Sequence, residues 1–193
     1  MSAPAWQPIL DFWFLPATDP AHGASRPEWF RKDPAFDAQI HERFGAIIAG
    51  ALAGEFTGWD SDPHGALARI ILLDQFTRNA FRDTPGAFAG DARALGAARA
   101  LVDAGRDRLL MPVERWFVYL PFEHAEDRAL QERSVALFDA LAAEPGMDGI
   151  ADYAFRHRDV VARFGRFPHR NRILNRESTP EEVEFLKQPG SGF

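Results

Sequence analysis

Apolar residues recur at intervals of three and four along most of the chain, the spacing of amphipathic helices, and strand signals are weak. Asp33 and Pro34 supply a cap and a first helical residue, after which Phe36, Ile40, Phe44, Ile47, Ile48 and Ala51 share a face. Asp62 and Pro63 repeat that start. Leu67, Ile70, Ile71, Leu72, Leu73 and Phe76 then cover nearly the whole circumference, which predicts a central, buried helix. Asp91 is expected to cap a third helix, with Leu95, Ala98, Leu101 and Val102 inward and Gly105 as its stop. Pro112 opens a fourth, with Val113, Trp116, Phe117 and Leu120 on one side and Pro121 kinking or ending it. From Asp127, the positions Leu130, Ser134, Leu137, Phe138 and Leu141 form a fifth stripe, stopped at Pro145 and Gly146. Ile150, Tyr153, Val160, Val161 and Phe164 form a sixth, ended by Gly165. Thr179, Pro180 and Glu182 fit a capping box that starts a last, short helix running to about Lys187. Most connections are short, which suits antiparallel helix neighbours. The expected architecture is all-α, an antiparallel helical array in a single domain over 1–187, with 188–193 a frayed Pro/Gly/Ser-rich tail.

Polar groups interrupt three of these stripes. On the central helix the apolar face continues to Asp74 and Arg78, four apart and able to pair, with Gln75 and Asn79 beside them. The fourth stripe leads to His124, next to Glu123, and the sixth includes His157. A buried charge is costly unless partnered, so these groups are expected to meet. Either they share a ligand pocket or they form a core network that fixes helix register.

The 193 residues carry a net charge of −6, with 46% hydrophobic and 26% charged positions, as in an ordinary soluble globular chain. The acidic balance argues against a nucleic-acid binder. Cysteine is absent, which removes disulfides, thiolate catalysis and Cys-ligated metals. No Lys or Arg precedes Arg26 and no apolar run approaches the ~18 residues of a membrane span, so a cytoplasmic protein without membrane contact is expected.

Against the overall charge, residues 156–176 hold seven arginines and one acid, Asp159. In the loop from Phe164 to Asn171, Arg and His alternate with aromatic residues. Arg166, His169 and Arg170 could clamp a carboxylate or phosphate, stack against bases, or pair with acids of neighbouring helices. No tight metal motif, nucleophile elbow or phosphate-cradling glycine loop occurs, so neither a metal site nor a cofactor is expected.

The blocks Leu73-Asp74-Gln75-Phe76-Thr77-Arg78-Asn79, Pro121-Phe122-Glu123-His124-Ala125-Glu126-Asp127 and Arg163-Phe164-Gly165-Arg166-Phe167-Pro168-His169-Arg170-Asn171 resemble a bacterial family known as domain-of-unknown-function family 924. The start Ile9-Leu10-Asp11-Phe12-Trp13-Phe14 and the ending Ser178 to Leu186 resemble it too. The resemblance implies a tetratricopeptide-repeat-like helical fold and brings no activity with it. Ala125 stands where the family's pattern has Ser, and Asn175 where it has Gly; Asn can still take the left-handed turn.

Together these readings point to an anionic small molecule or peptide carboxylate in an Arg/His-rich pocket. Arg78, Arg166 and Arg170 would hold the anion. Asn79, Gln75 and Asn171 would add hydrogen bonds, and Trp116, His124 and His169 would line the site. Two rivals are an enzyme with Glu123, His124, Asp74 and His157 as acid-base candidates, and an interaction scaffold or homodimer with a structural polar core.

Overall fold

The computed structural model describes residues 3–192, and among them it contains helices and no strand. The helices are α1 (Gln7–Phe14), α2 (Pro34–Ala53), α3 (63–80), α4 (Asp91–Asp103), α5 (Pro112–Glu123), α6 (Arg128–Ala142), α7 (Ala151–Phe164) and α8 (Pro180–Leu186). The architecture is a single all-α domain.

Local chemistry sets most helix starts. Asp33 accepts from the N–H groups of Ala35 and Phe36, Asp62 from those of His64 and Gly65, and Asp127 from that of Leu130. Thr179 and Glu182 close the expected capping box. Replacing Asp33 by Ala is expected to cost about 1 kcal/mol, read from the urea midpoint.

Helix α3 is the axis of the molecule. It packs on α1, α2, α4 and α5, and every residue from 65 to 77 is buried. Helices α5, α6 and α7 then pack in succession. Phe76 of α3 meets an aromatic core: Trp13 lies 5.5 Å from it and Phe44 4.9 Å, while Trp13 also contacts Phe117 at 5.4 Å. Much of that core comes from α1, a helix that the apolar pattern did not predict.

Three further points differ from expectation. Helix α5 runs through Pro121, which is buried, to Glu123. Asp91 does not cap α4; Gly90 is the N-cap residue and Asp91 lies in the first turn. Ser191 is buried, and its hydroxyl donates to the Leu186 carbonyl at 3.1 Å, so residues just past α8 fold back on it. Of the expected tail 188–193, Phe193 lies outside the described residues. Asn175 does take the left-handed conformation, at φ 52°.

Candidate functional site

Between Pro63–Ile70 and Thr77–Ala80, both ordinary α-helix, α3 winds as a π-helix over Ile71–Phe76. Such widened turns are unusual and often accompany functional groups. This one carries Asp74 and Gln75, both buried. Gly90 presses against it from the start of α4: a Cβ at Gly90 would lie 2.1 Å from the Leu73 carbonyl oxygen. Only glycine permits that approach, and it brings Asp91 to Arg78.

Asp74 Oδ1 lies 2.7 Å from Nδ1 of His124, at the C-terminal end of α5, and 3.1 Å from Nη1 of Arg78. Gln75 donates to the other carboxylate oxygen. Arg78 also reaches its own helix, donating to the Asp74 carbonyl at 2.8 Å, and forks onto Asp91 at 2.8 and 3.1 Å. Arg170, from the 3-10 turn Pro168–Arg170, is sandwiched between the rings of Phe88 and Phe167, at 4.8 and 4.5 Å. Among the described residues its one carboxylate contact is Asp91 at 3.5 Å, and its buried Nε has no hydrogen-bond partner. From α7, Nδ1 of His157 donates to the Tyr153 carbonyl at 2.8 Å and lies 3.4 Å from Glu123 Oε1. The His157 ring is 6.3 Å from that of His124.

The environment fixes the protonation states. Burial opposes charge on Asp74, but Arg78, His124 and Gln75 outweigh it, and its carboxyl is held far below the usual carboxylate range. Burial and Arg78 lower the proton affinity of His124 despite Asp74. A carboxylate only accepts, so Nδ1 of the neutral ring carries the hydrogen and Nε2 keeps its lone pair. Among the described residues no group bonds to Nε2, and the side chain is 14% exposed. Burial, then the Asp74 charge, pushes Glu123 up to about 8, so at neutral pH it is mostly a carboxylic acid. Burial pushes His157 down to about 3 and His169 to about 4. Burial, then Arg78, takes Arg170 to about 10. With the histidines neutral, two arginines balance Asp74 and Asp91. The centre is uncharged overall and holds a polarised imidazole whose outer nitrogen is open.

Other sequence candidates do not join it. Arg166 lies on Glu182, at 2.7 and 2.8 Å, and on the Glu177 carbonyl. Asn171 donates to Ser178 and Glu182. These two anchor α8. Asn79 donates to Asp37, which Arg82 also grips. Trp116 stacks on Phe30 at 5.0 Å, two turns before the end of α5. The centre is also a shallow face: Arg78 is 19% and Asp91 25% exposed. Two described cavities border α1 instead. Sequence reasoning missed Asp91 as the shared partner of two arginines, because an acid at a helix start reads as a cap. It also missed Phe88 as one wall of the Arg170 sandwich. Among the described residues no three His, Asp or Glu side chains are grouped to hold a metal ion. No helix there is long and apolar enough to cross a membrane.

A family model described as bacterial protein of unknown function, DUF924, matches residues 9–190. The chain belongs to the DUF924 family. A solved protein of unknown function from Agrobacterium tumefaciens is 42% identical, with a TM-score of 0.83 over 94% of this chain and 96% of that one. No curated protein matches. The family blocks in this DUF924 chain divide into two groups. Asp74, Gln75, Arg78, Glu123, His124 and Arg170 build the polar centre, while Arg166, Asn171 and Glu182 tie down its C-terminal helix.

The shifted groups set the pH dependence of stability. Between the ordinary histidine value of 6.5 and the depressed values near 3 and 4, the unfolded chain binds protons that folded His157 and His169 refuse. Stability therefore falls as the solution is acidified from 6.5. Glu123 acts with the opposite sign. From its ordinary 4.5 up to about 8, the folded state holds a proton that the unfolded state has lost, so stability falls as pH rises. His64, raised above 6.5 by the Glu114 carboxylate 3.6 Å away, adds to that alkaline decline. Two histidines outweigh one glutamate below 6.5, and only the declining contributions remain above it. The melting temperature is expected to peak near pH 6.5, and Glu123→Gln is expected to flatten the alkaline side.

Proposed function

We propose that the protein acts on a small anionic molecule, a carboxylate or phosphate compound, held at Arg170 and Arg78 while His124 takes a proton from it. The observation that carries this reading is the hydrogen bond from His124 to Asp74 at 2.7 Å, with the opposite ring nitrogen unbonded. Asp74 orients the ring, fixes its tautomer and stabilises the imidazolium that forms; a base held this way contributes roughly 10²–10⁴-fold to rate. Protonating His124 gives the neutral centre one net positive charge, which an anionic substrate offsets. Arg170 supports the same reading, because its buried guanidinium has only one long carboxylate contact.

Inorganic phosphate and acetate serve as binding probes by titration calorimetry, and exchange of the methyl protons of pyruvate, a small carboxylate, for solvent deuterium reports proton abstraction by proton NMR. Arg170→Met is expected to weaken probe binding by about tenfold or more, the loss of a charge-assisted hydrogen bond. His124→Gln is expected to leave probe binding within about threefold and remove roughly 10²-fold or more of turnover. Binding without turnover in the wild type would reduce the site to an anion receptor. No binding of either probe would contradict the proposal.

A further inference from the structure

At the opposite ends of α3 and α5 a second hollow opens beside α1. Its volume is about 280 Å³, below the roughly 300–1,000 Å³ of sites for drug-sized ligands and suited to a smaller molecule. Trp6, Leu10, Phe14, Leu15 and Met111 form apolar walls, and Asp11, Glu114, His22 and His64 stand among them. Counted along α3 and α5, His64 and Glu114 are each ten residues from Asp74 and His124, or about 15 Å of helix, so this hollow is separate from the polar centre.

The lining is selective by charge. It contains no Lys or Arg and two carboxylates. Glu114 is already engaged, accepting from the Met111 N–H at 2.8 Å and facing His64 at 3.6 Å. Among the described residues Asp11 accepts from Gln7 alone, through Oδ1 at 2.8 Å, and Oδ2 makes no hydrogen bond. His22 donates its Nδ1 hydrogen to the Leu15 carbonyl at 2.7 Å. The helix N-termini that reach the hollow offer no anion cradle: Asp62 takes the first N–H groups of α3, and Glu114 takes the N–H at the start of α5. Aromatic walls also favour a cation over an anion. Leu15 and Asp11 border both this hollow and the neighbouring one lined by Arg26 and Arg43, and Leu15 is held at φ 67°, ψ 155°. A non-glycine residue there is strained, and such strain gathers where chains shape a binding wall.

We propose that this hollow binds a small primary amine with an apolar body, its ammonium on Asp11 and its body between Trp6, Phe14 and Met111. Asp11 then supplies an ionic hydrogen bond, and the apolar walls leave the water around the ligand's body.

Benzylamine, benzyl alcohol and benzoate share a ring and differ in charge. Each is titrated into the full chain and followed by saturation-transfer NMR and by melting temperature. Benzylamine is expected to bind at least about tenfold more tightly than benzyl alcohol, and benzoate not to bind. Asp11→Asn is expected to erase the preference for the amine. Ala17→Trp, at an exposed position on the rim, is expected to block all three ligands without touching the core. Arg170→Met, in the other site, is expected to change none of these results. Equal affinity for benzylamine and benzyl alcohol, retention of amine binding in Asp11→Asn or Ala17→Trp, or no binding of benzylamine would overturn the proposal.

Discussion

Gly90→Ala is expected to be among the most damaging single changes in the molecule, lowering stability by about 3 kcal/mol or more. The new methyl group would sit 2.1 Å from the Leu73 carbonyl oxygen, 2.8 Å from its carbon and 2.9 Å from its Cα. All three are backbone atoms of the central helix, so no rotamer change relieves the overlap. Helix α4 has to move away from α3, and Asp91 moves with it. Arg78 then loses its forked partner, and Arg170 its one carboxylate. The conformation of Gly90, φ −91° and ψ −11°, is open to any residue, so the effect comes from space alone. Urea unfolding of the variant checks the size of the loss. Gly105→Ala is a useful contrast, because its φ of 66° gives strain with nothing within 4 Å of the added carbon; its cost is expected to be about 1 kcal/mol.

Replacing Asp74 has the second large effect. Asp74→Ala leaves a half-buried arginine with one carboxylate fewer and a half-buried imidazole without its acceptor, a loss of about 3 kcal/mol. Asp74→Asn is the more informative change. An amide can donate where a carboxylate only accepts, so it can turn its NH2 toward His124 Nδ1 and drive the hydrogen to Nε2. The ring then faces solvent as a donor and no longer acts as a base. The expected result is a moderate fall in melting temperature with turnover falling as far as in His124→Gln. A full-strength base in Asp74→Asn would show that the pair is structural.

The parts of this arrangement that were legible in the sequence are those decided locally. Asp33-Pro34, Asp62-Pro63 and Thr179-Pro180 start helices because caps act within three residues of themselves. The all-round apolar run from Leu67 to Phe76 identified α3 as central for the same reason: burial on every side shows in composition. The meeting of Asp74, Arg78, His124, Glu123 and His157 was also readable, since polar residues on apolar stripes have to find one another in the core.

What stayed hidden depends on distant partners. Arg166 and Arg170 belong to one loop and look alike in sequence. One meets Glu182, sixteen residues on, and the other meets Asp91, seventy-nine residues before it. Charge and spacing do not distinguish them. Helix α1 has no side-chain cap at Trp6 and is only eight residues long; it forms because Trp13 and Phe14 are buried against α3, the Trp29 turn and α5. Pro121 has an intrinsic tendency to stop a helix, yet packing carries α5 on to place His124 over Asp74. The π-turn left no trace that periodicity could detect, because every residue of it is apolar or buried.

The central claim is that His124 is a neutral base with its outer nitrogen free and an anion site beside it. Nitrogen-15 NMR of the imidazole side chains tests it most directly, recorded near pH 6.5 with and without inorganic phosphate. The expected spectrum shows His124 protonated at Nδ1 and bare at Nε2, with the Nε2 signal moving as phosphate is added to the wild type and staying still in Arg170→Met. A hydrogen on Nε2, or an Nε2 signal indifferent to phosphate in both proteins, would contradict it.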